Sequence, residues 1–198
     1  MKGGNMNHEP QPESSPEREK RTSPSIYVAS MADYNNGRLL GAWIDATIGA
    51  DAIYEQIQAM LARSGEPAPE EWAIHDYEGF GSKQLGEFER IEEVAALAEG
   101  IAKYGPAFAA WVDYSGLDAE DWHYFEAAYL GEYPTLTAYA EQIIDDMGWQ
   151  QEVDALLPES LKPYARIDAE AMGEDLRLGG EIYVLESDSG VYVFNSRI

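Results

Sequence analysis

Residues 71–101 read EWAIHDYEGFGSKQLGEFERIEEVAALAEGI, and two hydrophobic periods meet within this stretch. Its first part, Glu71–Glu78, alternates apolar and polar side chains sufficiently to predict a β-strand. From Ser82 onward the apolar residues recur every three or four positions, which predicts an amphipathic helical unit. The sequence therefore predicts an α+β fold in which a helical unit begins after residue 82.

The segment before this change of period predicts an N-terminal α+β domain over residues 25–82. Ser25–Ser30 (SIYVAS) and Arg38–Ala46 (RLLGAWIDA) are rich in β-forming residues and are predicted strands. The Asn36-Gly37 pair between them is a strong turn signal. A helix is predicted over Asp51–Arg63, with Asp51 as its cap. Its predicted buried face consists of Ile53, Ile57, Met60 and Leu61.

The segment after residue 82 predicts a helical middle domain over residues 83–125. Pro106 suits the first turn of its second helix, because the N–H that proline lacks would have no helical partner there. Asp118 is a candidate N-cap of a third helix, and Glu120 and Asp121 fall in the first turn, where the helix dipole favours anions. The apolar stripe of the first helix consists of Leu85, Phe88, Ile91, Val94, Leu97 and Ile101.

The remaining residues, 126–198, predict a C-terminal α+β domain. Thr135 can cap a helix. After a loop-rich stretch with two prolines, Glu181–Glu186 and Val191–Asn195 predict a β-hairpin. The helix that follows Thr135 is predicted to point Leu136, Tyr139, Ile143 and Met147 inward, and Glu141, Asp145 and Asp146 outward.

Composition excludes several classes of protein. The 198 residues carry 37 Asp and Glu against 13 Lys and Arg, a formal net charge of −24. Such a chain has no basic surface with which to bind nucleic acid or an anionic membrane. It contains no cysteine, which excludes disulfides, thiol catalysis and zinc–thiolate sites. The longest uncharged run, Thr22–Ala32, is too short to cross a bilayer, and the N-terminus has no secretory signal, so we expect a cytoplasmic protein.

The negative charge is concentrated after residue 24. Residues 1–24 hold four acidic residues, four basic residues and four prolines, and predict a disordered tail with no net charge. Between Lys103 and Lys162 lie 58 residues with no Lys or Arg but with 12 carboxylates. These acids are interleaved with aromatic and aliphatic residues at secondary-structure spacing. We therefore expect them on the outside of folded elements, not in a flexible acidic tail.

The sequence lacks the motifs of catalysis and cofactor binding. No G-x-S-x-G, H-E-x-x-H or EF-hand loop occurs, and Gly79-Phe80-Gly81 is not followed by the G-K-[ST] of a phosphate loop. His75 and His123 lie in aromatic segments, where a structural role is the simpler interpretation. The acids between Asp118 and Asp121 could hold a divalent ion loosely, but helix capping explains them better. We predict no catalytic residue, no metal and no cofactor.

The charge itself has two interpretations. Salt-adapted proteins are also rich in acids and poor in lysine, with the acids spread evenly for solubility. In the other interpretation the acids imitate duplex DNA, which carries about one negative charge per 1.7 Å of axis. At that spacing the 24 net charges would cover roughly 41 Å, which a row of small units could present and a compact globule could not. Composition alone does not decide between the two.

Four short motifs follow one another along the chain. The first comprises Ile26–Ala29, Tyr34–Gly37 and Leu40–Trp43, and the second is Ala73–Glu78 (AIHDYE). The third is Tyr129–Tyr133 (YLGEY), and the fourth runs from Pro158 through Tyr164 to Asp168 and on to Leu176–Gly179. In order and spacing they resemble the ArdA-type antirestriction proteins. The resemblance covers nearly all of residues 25–198 and leaves out the tail.

This resemblance implies both a fold and a function. It implies three small domains with antiparallel sheets, strung into an elongated, curved monomer that forms homodimers. It implies a mimic of duplex DNA that occupies the DNA-binding groove of type I restriction–modification enzymes, at their methyltransferase core and specificity subunit. Carboxylates do not reproduce base edges, so inhibition should ignore the enzyme's target sequence. Proteins of this family are carried by mobile genetic elements and have no catalytic residues, so none is assigned here.

The expected interaction residues fall into two groups. The family's antirestriction motif matches about Gly148–Asp168 and is expected near the dimer contact, where the apolar residues suit an interface. The dimer-contact residues are Leu156, Leu157, Pro158 and Leu161. The expected DNA-mimicking carboxylates are Glu92, Glu93, Glu99, Asp113, Asp118, Glu120, Asp121, Glu126, Glu132, Glu141, Asp145 and Asp146.

Two other functions remain open on the residues alone. An acidic interaction module could bind another basic DNA-binding protein, for example a histone-like partner. A glycan-active enzyme could use a pair of carboxylates. Loss of activity after a single Asp or Glu substitution would favour the enzyme, whereas gradual loss over many substitutions would favour mimicry.

Overall fold

The computed structural model describes residues 23–67 and 69–198. Within them the fold is mixed α and β, with two three-stranded antiparallel sheets, which confirms the predicted α+β class. The predicted tail, residues 1–24, lies outside the described residues except for Ser23 and Pro24. The Pro24 carbonyl accepts the Ala46 N–H at 2.9 Å.

The first sheet has the strand order β2-β1-β3. Its central strand β1, Ser25–Ser30, is almost wholly buried, which suits its run of β-forming residues. The three strands confirm the predicted ones, although β2 is shorter than the predicted Arg38–Ala46. The flanking strands are β2, Gly41–Asp45, and β3, Trp72–Glu78, and both pair with β1 in antiparallel register.

Two helices accompany the first sheet. Helix α1, Met31–Asn35, follows β1 directly, and the predicted Asn36-Gly37 turn comes after it, with Gly37 at φ +74°. Helix α2, Ala50–Leu61, covers the sheet with the predicted buried face. Gly49 occupies the N-cap position of α2, so Asp51 lies in the first turn and is not the cap.

The middle of the chain is helical, as predicted, but its first helix begins later than the apolar stripe suggests. Helix α3 spans Ile91–Tyr104 and helix α4 spans Pro106–Ser115, with Pro106 in the first turn. Leu85 and Phe88 therefore precede α3, and Phe88 is 72% exposed. The segment before α3 lies alongside strand β3 of the first sheet, because the Glu87 carbonyl accepts the Ile74 N–H at 2.8 Å. A 3-10 helix, Ala119–Tyr124, and the short α5, Phe125–Ala128, complete this region.

The second sheet has the strand order β4-β6-β5. Strands β5, Ile182–Glu186, and β6, Val191–Asn195, form the predicted hairpin. An edge strand that was not predicted, β4, Tyr129–Tyr133, pairs with β6. Three helices accompany this sheet: α6, Leu136–Met147, α7, Trp149–Leu156, and α8, Ala169–Leu178. Of these only α6 was predicted. No helix in the described part of the chain is long and apolar enough to cross a membrane.

A hydrophobic cluster extends from the first sheet through α3 and α4 to β6. Phe125 lies within it, with its ring centroid 5.1 Å from that of Phe108 in α4 and 6.2 Å from that of Phe194 in β6. The domain boundary predicted between residues 125 and 126 thus comes directly after a residue whose ring contacts elements on both sides of that boundary. The domain limits therefore remain predictions.

Candidate acidic interaction surface

The twelve carboxylates predicted for the interaction surface lie on six consecutive elements. Three belong to α3, one to α4, three to the 3-10 helix and its N-cap, one to α5, one to β4 and three to α6. Ten of the twelve residues are exposed, and Glu93 and Asp121 are partly buried. The polar positions of each amphipathic element therefore put their side chains in solvent, where a partner can reach them.

Four of these carboxylates lie beside a cation of the same chain. The Arg90 guanidinium is 4.0 Å from Glu92 and 3.2 Å from Glu93. Two further pairs join α4 and α5 to other segments, with Asp113 at 3.9 Å from Lys83 and Glu126 at 3.1 Å from Lys103. The negative charge of these four is partly compensated before any partner arrives.

The other eight carboxylates have no Lys or Arg within ion-pair distance among residues 23–67 and 69–198. They are Glu99, Asp118, Glu120, Asp121, Glu132, Glu141, Asp145 and Asp146. Each exposed carboxylate in this group offers a full negative charge to a partner.

Helix α6 displays three of these carboxylates on one exposed side. The Thr135 hydroxyl accepts the Ala138 N–H at 3.0 Å, which confirms the predicted cap and fixes the start of the helix. Ala140 and Ile144 are buried on the opposite side, whereas Met147, predicted to point inward, is 58% exposed because it ends the helix. The acids at 141, 145 and 146 span about 7.5 Å of helix axis.

The loop before the 3-10 helix presents a second group around Asp118. Asp118 occupies the N-cap position, but its side chain accepts no capping hydrogen bond, so capping does not account for this acid. The Trp122 indole N–H donates to the Leu117 carbonyl at 3.0 Å, and His123 Nδ1 lies 2.8 Å from the Glu120 carbonyl oxygen. These contacts order the segment that carries the acids. Within the described residues, Asp118, Glu120 and Asp121 do not converge into a metal-binding group.

Hydrogen bonds hold two more of the carboxylates in fixed orientations. The Tyr104 hydroxyl donates to Glu126 at 2.6 Å, and this bond, together with Lys103, lowers the pKa of Glu126 below its ordinary value. The hydroxyls of Ser187 and Ser189 in the β5–β6 turn both donate to Glu132 at 2.6 Å and lower its pKa in the same way. Both groups therefore stay ionised at neutral pH.

Exposed carboxylates without a cation partner in the described chain also occur outside the predicted set. Those on α7 and α8 were not assigned to the interaction surface because these helices were not predicted, although Glu152 belongs to the stretch without Lys or Arg whose acids were expected outside. Those on these two helices are Glu152, Glu170 and Asp175, and α2 adds Asp51 and Glu55.

The residues predicted for the dimer contact lie at the end of α7 and in the loop that follows. Leu156 is 85% exposed and Leu161 is 51% exposed, with Pro158 exposed and Leu157 partly buried between them. The Gln150 side chain ties this loop to α7, because it donates to the Ala165 carbonyl at 2.9 Å and accepts the Ile167 N–H at 3.0 Å. The loop thus holds an apolar patch in solvent.

Comparison with known proteins identifies a family. The chain matches the family described as antirestriction protein (ArdA) over residues 26–191, which is most of its 198 residues. All twelve predicted carboxylates and all four predicted dimer-contact residues fall within the matched range. A search of curated proteins found no match.

Proposed function

The chain belongs to the ArdA family of antirestriction proteins, and we propose that it inhibits type I restriction–modification enzymes by occupying their DNA-binding groove as a mimic of duplex DNA. The groove is formed by the methyltransferase core and the specificity subunit. The inhibitor acts in the cytoplasm, where those enzymes meet incoming DNA, and it is carried by a mobile genetic element.

The observation that carries this proposal is the excess of exposed carboxylates without a cation beside them. Nine Lys and Arg residues follow residue 24, and eight of them lie within 4.0 Å of a carboxylate. Nearly all positive charge in the described chain is therefore already matched, and the remaining negative charge faces solvent. A groove lined with Lys and Arg is the complementary surface.

The mechanism follows from electrostatics. A row of carboxylates that enters the groove releases the counter-ions held there and excludes DNA. Because most of the acids lie on helices and strands, they are ordered before binding, which lowers the entropic cost of association. No bond is made or broken, so inhibition is stoichiometric and independent of the enzyme's target sequence.

We also propose that two copies associate through Leu156, Leu157, Pro158 and Leu161. The support is the exposure of Leu156, Pro158 and Leu161 at the end of α7 and in the loop that follows, which Gln150 ties to α7. Each copy carries a formal charge of −24, so the two repel each other, and dimerisation should tighten as salt screens that repulsion. Sedimentation at low and moderate salt measures this, and a monomer at both salt concentrations would exclude the dimer.

The test of the proposed function is plating of unmodified phage on a host with a type I restriction system. Expression of this chain should raise the plating efficiency by orders of magnitude. A variant with all eight unpaired carboxylates changed to amides, expressed to the same level, is the control and should restore little plating. Unchanged restriction in the presence of the folded wild-type protein would overturn the proposal.

A further inference from the structure

A small pocket of about 250 Å³ opens between α3, α4 and the 3-10 helix. Apolar side chains form about half of its lining, namely Leu85, Val94, Leu97, Val112, Leu117 and Trp122. Sites for drug-sized ligands measure about 300–1,000 Å³. The pocket is therefore suited to one side chain, not to a cofactor.

Carboxylates from α3 and the loops around it also line the pocket. Glu93 is already paired with Arg90 at 3.2 Å. Glu89 accepts the Gly86 N–H at 3.3 Å but has no cation within ion-pair distance in the described chain. Asp118 is exposed, accepts no capping bond and has no cation partner among the same residues. Two carboxylates of the lining are thus available to a positively charged visitor.

The basic residue of the lining forms no ion pair with these two acids. The Lys83 ammonium lies 3.9 Å from the Asp113 carboxylate on α4. Its charge is therefore directed to a different acid, and the pocket combines apolar walls with a negative rim.

The aromatic wall of the pocket is held in place before anything binds. The Trp122 indole N–H is committed to the Leu117 carbonyl at 3.0 Å. The indole also meets the ring of Phe108 edge-on, with centroids 5.8 Å apart. A cation that approaches the indole ring meets a fixed surface, so no reorganisation is needed.

We propose that this pocket receives an arginine side chain from the DNA-binding groove of the partner enzyme, an inference that rests on the proposed function. The guanidinium pairs with Asp118 and Glu89, and its methylene stem and planar face lie against the apolar walls and Trp122. Arginine fits better than lysine because a guanidinium both stacks on an aromatic ring and forks to carboxylates.

The pocket adds an anchor to an otherwise distributed contact. A charged side chain buried in a preformed pocket is typical of interface hot spots, whereas carboxylates on the open surface contribute little individually. Asp118 should therefore matter more to binding than carboxylates that lie outside the pocket.

The first test fills the pocket without changing the charge. Ala119 lines it, and Ala119→Leu should occupy the space that arginine needs. Binding to the purified methyltransferase should weaken roughly tenfold or more, as expected for loss of a hot spot. Ala59→Leu, at an exposed position of α2, is the matched control and should bind as the wild type does. Circular dichroism establishes that both variants fold.

The second test compares one substitution at two exposed, unpaired carboxylates. Asp118→Asn should weaken binding several-fold more than Asp145→Asn, although both remove one charge. If the wild type binds in competition with DNA but Asp118→Asn and Ala119→Leu match their controls, the pocket proposal is overturned and the proposed function stands. If the wild type does not bind the enzyme, the proposed function fails.

A third test addresses the pocket without the enzyme. Ethylguanidinium and ethylammonium are titrated into the labelled protein at equal ionic strength, and the five indole N–H resonances are followed by NMR. The Trp122 resonance, assigned with Trp122→Phe, should move more with ethylguanidinium, and Ala119→Leu should abolish the shift. Equal shifts with both cations, or equal shifts at all five indoles, would overturn the preference for arginine.

Discussion

Asp33 shows how one buried carboxylate joins three segments of the first sheet region. It is 3% exposed and accepts the hydroxyls of Ser30 at 2.8 Å and Ser64 at 2.6 Å. The Arg38 guanidinium lies 3.3 Å away and also contacts Glu66. The two hydroxyl bonds, followed by Arg38, hold the pKa of Asp33 below its ordinary value. A buried charge with these partners fixes the ends of β1 and α2 against each other.

We expect Asp33→Asn to destabilise the fold in a pH-dependent way. The pKa of Asp33 is lowered below 3.8, so its contribution to stability is present above that pH and is lost as the pH falls through the lower folded-state value. Thermal unfolding should show the largest deficit of the variant near neutral pH and a shrinking deficit in acid. Glu55→Gln, exposed on α2, is the control, and a deficit that does not change with pH would contradict this role.

Gly100 is a glycine in the middle of α3 that packing requires. Replacing a glycine inside a helix by alanine usually stabilises by about 0.5–1 kcal/mol. At Gly100, however, a Cβ would overlap the ring of Phe108. We expect Gly100→Ala to cost about 1–3 kcal/mol of unfolding free energy, as overpacking does.

Urea denaturation measures this cost. Gly65→Ala is the matched control, because the nearest atom to its new Cβ would be Arg38 Nη1 at 3.7 Å, an ordinary contact. A Gly100→Ala variant at least as stable as the wild type would show that α3 and α4 are further apart than described.

At the scale of elements, α6 carries acids where they are locally unfavourable. Its last turn holds Asp145 and Asp146 and no basic residue. The carbonyl end of a helix carries partial negative charge, so acids there cost about 0.3–1 kcal/mol each. Acids in this position do not serve helix stability, which favours a role in binding.

Neutralising α6 should therefore separate stability from binding. In the triple variant Glu141→Gln, Asp145→Asn, Asp146→Asn the unfolding free energy should stay level or rise. Affinity for the methyltransferase should fall by at most about 100-fold, because three exposed charges of about 1 kcal/mol or less each set an upper limit of about 3 kcal/mol. Urea denaturation and binding titrations on the same samples measure both quantities.

The control for this variant changes the net charge equally at exposed acids outside the predicted surface. It combines Asp51→Asn, Glu55→Gln and Glu71→Gln. We expect it to lose less affinity than the α6 variant. Equal losses would mean that net charge alone, and not the predicted surface, determines binding.

The elements that the sequence predicted are those whose signals are local. The strands of the first sheet, the helix capped by Thr135 and the β5–β6 hairpin each have a cap, a turn or an alternation of their own. Helix α8 has only a short apolar stripe of Ala169, Met172 and Leu176, and its one buried residue is Gly173, where a Cβ would lie 3.0 Å from Leu136 of α6. The start of α3 was misplaced because the segment around Glu87 bonds to β3, a contact distant in sequence.

The candidate surface could be predicted only in part for the same reason. Exposure of the acids was expected because they alternate with apolar residues at secondary-structure spacing, and ten of the twelve are exposed. Which acids form ion pairs could not be predicted from the sequence, because Lys83–Asp113 and Lys103–Glu126 join residues that are distant along the chain. The pocket beside Asp118 likewise arises from packing of α3 and α4, which no single periodic stretch encodes.

At the scale of the whole molecule, a hydrophobic cluster underlies most of the predicted acidic elements, while the buried residues of α6 lie outside that cluster. The cluster includes residues of the first sheet, the middle helices and β6, while the formal net charge is −24. Even spreading of acids for solubility would require no partner. A mimic of DNA requires a basic groove and must compete with DNA for it.

The measurement that tests mimicry most directly is displacement of labelled duplex DNA from a purified type I methyltransferase, repeated at several salt concentrations. We expect this protein to displace the DNA completely, with an affinity that falls steeply with salt, as binding through many charges does. DNA with and without the recognition sequence should give the same affinity of this protein for the enzyme, once the different affinities of the two DNAs are taken into account. Simultaneous binding of DNA and this protein, or an affinity independent of salt, would contradict DNA mimicry.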